Sequence, residues 1–163
     1  MSTITITIRQ ATAEDASAIS SLILSVAHFF TLHPQGHGAE VFLNSLQPDA
    51  ILKLIEDNRF LYCVAHVDDV LVGVAAMKDN THLYHLFVSP AFQKQGIARQ
   101  LWQHMHHIAI QQGHQGIFTV NSTPYAQSMY EHLGFCATAP QVQMNGIGFI
   151  PMSLNLHPRS THR

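Results

Sequence analysis

Charge is scarce in this chain. Lysine and arginine together number 8 and aspartate and glutamate 10 among 163 residues, leaving a formal net charge of −2 with the 13 histidines neutral. A protein that neutralises a phosphate backbone needs a basic stripe, and this composition offers none, so nucleic acid is not expected as a partner. Cysteine is nearly absent. Cys63 and Cys136 both sit in apolar, strand-like surroundings, and they read as reduced core residues of a cytoplasmic protein, not as a disulfide framework. No apolar run approaches the length that crosses a bilayer, so no membrane segment is expected. The opening Met1-Ser2-Thr3-Ile4-Thr5-Ile6 lacks the basic and hydrophobic regions of an export signal. Repeats and linkers are also missing. With 47% apolar residues the chain suits one core, so residues 1–156 are expected to form a single domain, followed by a polar tail, 157–163.

Histidine is the exception to this sparseness. His28, His33 and His37 fall in one region and His104, His106 and His107 in another. His104 and His107 have the spacing of one helix face, but no nearby Cys, Asp or Glu completes a ligand set. A solvated helix face is the reading, with no metal expected; a histidine-rich metal protein would carry stoichiometric bound zinc or nickel.

The most informative stretch runs from Leu83 to Gln112. Leu83-Tyr84-His85-Leu86-Phe87-Val88 has the length and composition of a strand, and Ser89-Pro90 ends it. Beyond the polar loop Gln93-Lys94-Gln95-Gly96, the apolar residues Ile97, Leu101, Met105 and Ile108 recur with the helical period. Strand, glycine-bearing turn and helix therefore follow in order. A helix start presents unpaired N–H groups and a partial positive charge, which suits an anion. Gly96 and the small Ala98 allow a phosphate close to the backbone, and Lys94 and Arg99 add charge. Neither G-x-G-x-x-G nor G-x-x-x-x-G-K-[ST] occurs, so the dinucleotide and P-loop patterns lack their glycines.

The remaining chain alternates the same kinds of signal. Ile4, Ile6 and Ile8 alternate with threonines as a half-buried strand. Thr12, Glu14 and Asp15 open a helix carrying Ile19, Leu22, Ile23 and Val26. From Ala27 to Gln47 the chain reads as irregular, and Pro48 then starts a helix with Ile51, Leu52, Leu54 and Ile55. Phe60 to His66 and Val70 to Met77 form a hairpin about Asp68-Asp69. Gly116-Ile117-Phe118-Thr119-Val120 is a short strand, which a crossover should place parallel to the one ending at Val88. Pro124 opens a helix with Ala126, Met129, Tyr130 and Leu133 that stops at Gly134. Phe135 to Val142 and Ile147 to Leu156 flank Asn145-Gly146, a hairpin signal.

Gln93-x-x-Gly96-x-Ala98 resembles the [Q/R]-x-x-G-x-[G/A] signature of the GNAT superfamily of acyl-CoA-dependent N-acyltransferases. The resemblance extends over nearly the whole chain. Ile8-Arg9-Gln10-Ala11-Thr12-Ala13-Glu14-Asp15 is similar to the family's opening. Tyr130-Glu131-His132-Leu133-Gly134-Phe135 matches its Y-E-x-L-G-F, and Asn145 to Met152 resembles the closing hairpin of small bacterial members. The implied fold is α/β (α+β). It has a central, mostly antiparallel sheet of six to seven strands with a splayed parallel pair, flanked by about four helices.

The resemblance also implies a cofactor, acetyl-CoA, and a set of residues. Its coenzyme-binding positions are Phe87, Val88, Gln93, Lys94, Gln95, Gly96, Ile97, Ala98, Arg99, Asn121, Thr123 and Ser128. The backbone of Phe87 and Val88 would meet the pantetheine, and the N–H groups around Gly96 the pyrophosphate. Many relatives carry an asparagine where this chain has Thr123, so Asn121 stands as its substitute. Tyr130 is implied as the proton donor to the departing thiolate, and the Val88 N–H as the oxyanion donor. His82, found by counting back from Gln93, is the candidate base, ordered water being the alternative. Phe29, Phe30 and His33 border the implied acceptor pocket. Tyr84 joins them by strand alternation on the face of His82, with His85 on the other. The function so implied is direct acetyl transfer to a small amine, amino acid or peptide amine; an acyl-CoA-binding sensor without transfer is the alternative. The last hairpin could also pair two copies about a two-fold axis.

Overall fold

The computed structural model describes residues 5–114 and 116–156. Ile4 and the tail 157–163 lie outside them. The first strand is β1 (Thr7–Gln10). Arg9 grips both carboxylate oxygens of Asp15 at 2.8 and 2.9 Å, and the Thr12 N–H donates to the same carboxylate at 2.7 Å. These bonds fix the entry to α1 (Ala16–Val26) and hold the Asp15 carboxyl at about 2. Ile19, Leu22, Ile23 and Val26 form the buried stripe of α1, as their spacing predicts.

The segment expected to be irregular contains a 3-10 turn, Ala27–Phe29, and a short helix, α2 (Glu40–Asn44). Gly36 and Gly38 turn the chain in the left-handed region. The glycine- and proline-free run that follows then closes one and a half helical turns over the core through Phe42 and Leu43. Five residues hold too little pattern to announce a helix. Pro48 heads α3 (Pro48–Glu56).

β2 (Phe60–Val67) and β3 (Val70–Lys78) form the expected hairpin. Asp68 and Asp69 both have positive φ, 49° and 67°, the primed turn whose twist suits two strands. β4 (His82–Val88) pairs antiparallel with β3, but the register slips between Ala76 and Met77, because Ala76 faces His85 and Met77 faces Leu83. Tyr84 is therefore the extra residue of a β-bulge. The bulge overturns the simple alternation: Leu83 packs into the core on one face, whereas Tyr84 and His85 lie together, ring centroids 4.7 Å apart.

α4 (Ile97–Gln111) carries the chain across to β5 (Ile117–Ser122). β5 runs parallel to β4 through only two pairs, His82 with Thr119 and Leu83 with Val120. α5 (Gln127–His132) then precedes β6 (Cys136–Ala137), β7 (Val142–Met144) and β8 (Ile147–Asn155). The strand expected from Phe135 to Val142 is thus broken in two around Pro140, which has no N–H for a ladder. That break raises the count among the described residues to eight strands, in the order β1-β2-β3-β4-β5-β8-β6, with β7 paired to β8. Cys136, expected in the core, is exposed because it lies on the edge strand β6. Cys63 is buried, and desolvation pushes its thiol up to about 11.

The sheet separates two cores. Trp102 of α4 packs edge-on to Phe118 and near Phe135 on one face, while α1 and α3 cover the other. The β7–β8 turn is seated on the loop after α1. Leu32 N–H donates to Gly146 O, and a Cβ on Gly146 would lie 2.4 Å from Gly38 C and O. With φ at +77° the position is also strained for any side chain. Gly146→Ala should therefore destabilise the protein by roughly 2 to 4 kcal/mol. The check is the urea midpoint at constant m; an unchanged midpoint would mean that the turn and loop separate freely.

Candidate active site

The two-pair contact of β4 with β5 has a direct consequence. Beyond Leu83 the strands part, and a cleft of about 690 Å³ opens between them, α4 and α5. Which backbone groups face it follows from the β3–β4 ladder. Ser89 N–H donates to Val72 O, so the two-residue alternation of an antiparallel pair makes Val74 and Phe87 the next hydrogen-bonded couple. Leu86 and Val88 turn their N–H and C=O groups the other way, toward the gap. This corrects the expectation for Phe87, whose backbone is committed to β3 and whose side chain lines the cleft instead. Leu86, unremarkable in the sequence, takes its place.

At the end of β4 the loop before α4 is bent by two left-handed residues, Lys94 (φ 64°) and Gly96 (φ 84°). None of the N–H groups from Lys94 to Arg99 finds an acceptor among the described residues. Gly96, Ile97, Ala98 and Arg99 all line the cleft, so the start of a 15-residue helix points its partial positive charge there. Open space surrounds Gly96, where no atom lies within 4 Å of an added Cβ. These groups fit a diphosphate. Gln93 does something more local: its Nε2 donates to Val88 O at 3.0 Å and its Oε1 accepts from the Tyr125 hydroxyl at 2.9 Å. Its amide thereby ties the rim of β4 to the segment entering α5. Gln95 lies outside the cleft lining, and its Nε2 reaches back to Ala91 O at 3.5 Å.

The opposite wall comes from β5 and α5. Asn121 and Ser128 line it, and Thr123 uses its hydroxyl oxygen to accept from Ala126 N–H at 3.0 Å, capping the turn that carries Tyr125. Arg99 reaches across to His132 O at 3.3 Å, bracing α4 against the end of α5. Tyr130 is buried and stacks edge-on against Phe135, yet it borders the cleft. Its hydroxyl makes no hydrogen bond to a described residue, and burial pushes its pKa up, so it is a phenol, not a phenolate, at neutral pH.

On the α1 side stand Phe29, Phe30, Tyr84 and Phe87. Tyr125, which carried no motif in the sequence, stacks on Phe29 with centroids 4.6 Å apart at 14°. Its only local signal was an aromatic following Pro124 at a helix entrance. Besides Gln95, two more expected residues are not brought to the cleft. His82 sits where β4 and β5 are still paired, its Nδ1 2.8 Å from Thr119 Oγ1, and burial lowers its pKa. His33 stacks on His37 and accepts from Gln35 N–H, away from the cleft lining. Counting back from Gln93 placed His82 on the right strand but could not see where the strands part, and the resemblance named the region of His33 without showing where its loop turns.

Comparison with known proteins agrees with the fold. The chain resembles a GCN5-related N-acetyltransferase structure from Rhodopseudomonas palustris, at 19% identity and TM-score 0.75 over 96% of this chain and 99% of that one. It is similar to the PaiA N-acetyltransferase of Thermoplasma acidophilum in complex with coenzyme A, at 18% identity and TM-score 0.74, covering 93% and 99%. YncA from Salmonella typhimurium, solved with its cofactor acetyl-CoA, shares 20% identity and TM-score 0.70 over 98% of both chains. At such identities the likeness is one of fold. No curated protein sequence matches. Among the described residues no helix is long and apolar enough to cross a membrane. A family model described as an acetyltransferase (GNAT) domain matches residues 30–156, and with more than half of its length so matched, the chain belongs to the GNAT acetyltransferase family.

Proposed function

We propose that this protein is an acetyl-CoA-dependent N-acetyltransferase that passes an acetyl group directly to the amine of a small molecule, an amino acid or a peptide. The observation that carries this reading is the pairing, across one cleft, of an open N–H loop at Gly96 with the unpartnered phenol of Tyr130. The N–H groups of Lys94 to Arg99 would hold the diphosphate, with Lys94 and Arg99 supplying counter-charge. The outward-facing N–H and C=O of Leu86 would offer strand-like hydrogen bonds to the amides of the pantetheine arm, leaving the Val88 N–H for the thioester oxygen. Asn121 and Ser128 complete the wall.

Bound acetyl-CoA supplies a thioester carbonyl that a neutral amine can attack. The Val88 N–H, facing the gap, donates to the oxygen that gains negative charge. Tyr130 holds a proton at its phenol oxygen for the departing sulfur, and the attacking amine returns one as its N–H is lost. Because His82 lies outside the cleft, the first deprotonation of the ammonium form falls to water. The loop amides and Tyr130 give different readouts. Titration calorimetry with coenzyme A should show one site per chain, and addition of acetyl-CoA with an amine panel should release free thiol. Binding without thiol release from any amine would turn the reading to an acyl-CoA sensor, and absence of binding would end both.

A further inference from the structure

The acceptor half of the cleft is aromatic and carries no acid. Its walls are Phe29 and Phe30 from the end of the 3-10 turn that follows α1, Tyr84 and Phe87 from β4, and Tyr125 from the entry to α5. Three of these rings remain open to solvent, Phe29 at 37%, Tyr84 at 41% and Tyr125 at 56%. Among the described residues these are the exposed large rings, the others being buried or half-buried, so that much exposed aromatic surface in one concavity is unusual. Among the described residues no aspartate or glutamate lines the cleft, whereas Lys94, Arg99 and His132 do. A polyamine or aminoglycoside would bring several positive charges to a site that offers them no carboxylate. An amino acid's carboxylate would meet ring faces, whose charge distribution repels anions.

The bulge at Tyr84 sharpens the point. It rotates Tyr84 out of the regular pleat so that the ring is exposed at the cleft, edge-on to Phe60 with centroids 5.1 Å apart. The Tyr125 hydroxyl is held by Gln93, so its ring is fixed against Phe29. Fixed rings lining one cleft favour a flat apolar group.

Resting on the assignment of this cleft to acetyl transfer, we propose that the acceptor is an arylalkylamine: a primary amine on a short flexible chain that ends in an aromatic ring, with no carboxylate and no second charge. The ring packs among Phe29, Tyr84 and Tyr125, and the chain directs the amine toward the gap beside Val88.

The test compares kcat/KM, read as thiol release, for 2-phenylethylamine and tryptamine against n-butylamine, spermidine, kanamycin and phenylalanine, with coenzyme A affinity measured separately by calorimetry. The arylalkylamines should exceed each of the others by about tenfold or more. Phe29→Ala should raise KM for 2-phenylethylamine roughly three- to tenfold, the scale of one lost aromatic contact, and by a larger factor than it raises KM for n-butylamine. A higher kcat/KM for spermidine, kanamycin or phenylalanine overturns the proposal, as does a Phe29→Ala effect equal for all amines. Coenzyme A binding with no turnover of either arylalkylamine also overturns it while leaving the cofactor site intact. Failure to bind coenzyme A would instead remove the underlying assignment.

Discussion

Replacing Tyr130 with phenylalanine should lower turnover by about ten- to a thousand-fold, the scale of general acid catalysis, while coenzyme A binds as before. The substitution removes one oxygen atom. The ring stays, so the edge-on contact with Phe135 and the packing of α5 are retained. The hydroxyl makes no hydrogen bond to a described residue, so its loss leaves no buried partner unsatisfied and should cost little stability. A fall in kcat with unchanged affinity therefore isolates proton donation. Burial keeps the phenol protonated through the neutral range, so the rate should show no loss from ionisation of Tyr130 below the ordinary tyrosine pKa. Unchanged turnover in the variant would remove Tyr130 from the mechanism.

The second large effect concerns stability in acid. His85 is buried on β4, its Nδ1 2.8 Å from the hydroxyl of the equally buried Tyr62, and desolvation lowers its pKa to about 3. Burial also raises the pKa of Tyr62, so the pair is neutral. In the unfolded chain the same imidazole titrates near 6.5. Between those values the unfolded state holds a proton that the folded state does not, so stability is full above about pH 6.5 and falls toward pH 3. One such group contributes a slope of about 1.4 kcal/mol per pH unit. Urea unfolding at pH 7.5, 5.5 and 4.5 should show His85→Gln losing roughly 2 kcal/mol less than the parent over that range. Equal losses would mean that His85 is reached by solvent in the folded state. Asp15 acts at lower pH: its depressed carboxyl contributes stability above about pH 4 that fades toward pH 2, discounted because Arg9 is exposed to solvent.

The acid sensitivity has a structural origin. The bulge at Tyr84 is what sends His85 to the α1 face beside Tyr62 and Phe87, where no charge offsets its burial. Simple alternation along β4 would have left it on the face opposite Tyr84. Function and stability thus share one irregularity: the extra residue exposes a ring at the cleft and buries an imidazole behind it.

Much of the molecule was legible beforehand because the signals were local. The period of Ile97, Leu101 and Met105 and the turns at Asp68-Asp69 and Asn145-Gly146 each depend on residues a few positions apart, and each of these elements formed, whereas the first strand starts at Thr7 and takes in only Ile8 of the early isoleucines among the described residues. The loop at Gly96 was visible for the same reason, since a left-handed residue before a helix needs only a glycine. What stayed hidden was set between distant segments. That β4 and β5 part after two pairs, that Leu86 and not Phe87 offers its backbone, that His82 is left outside and that Tyr125 meets Phe29 and Gln93 all follow from register. The sequence by itself determined which residues could bind an anion and which could hold a proton. Only the tertiary structure decided that they face one another, because the positions of paired strands depend on contacts that no local pattern encodes.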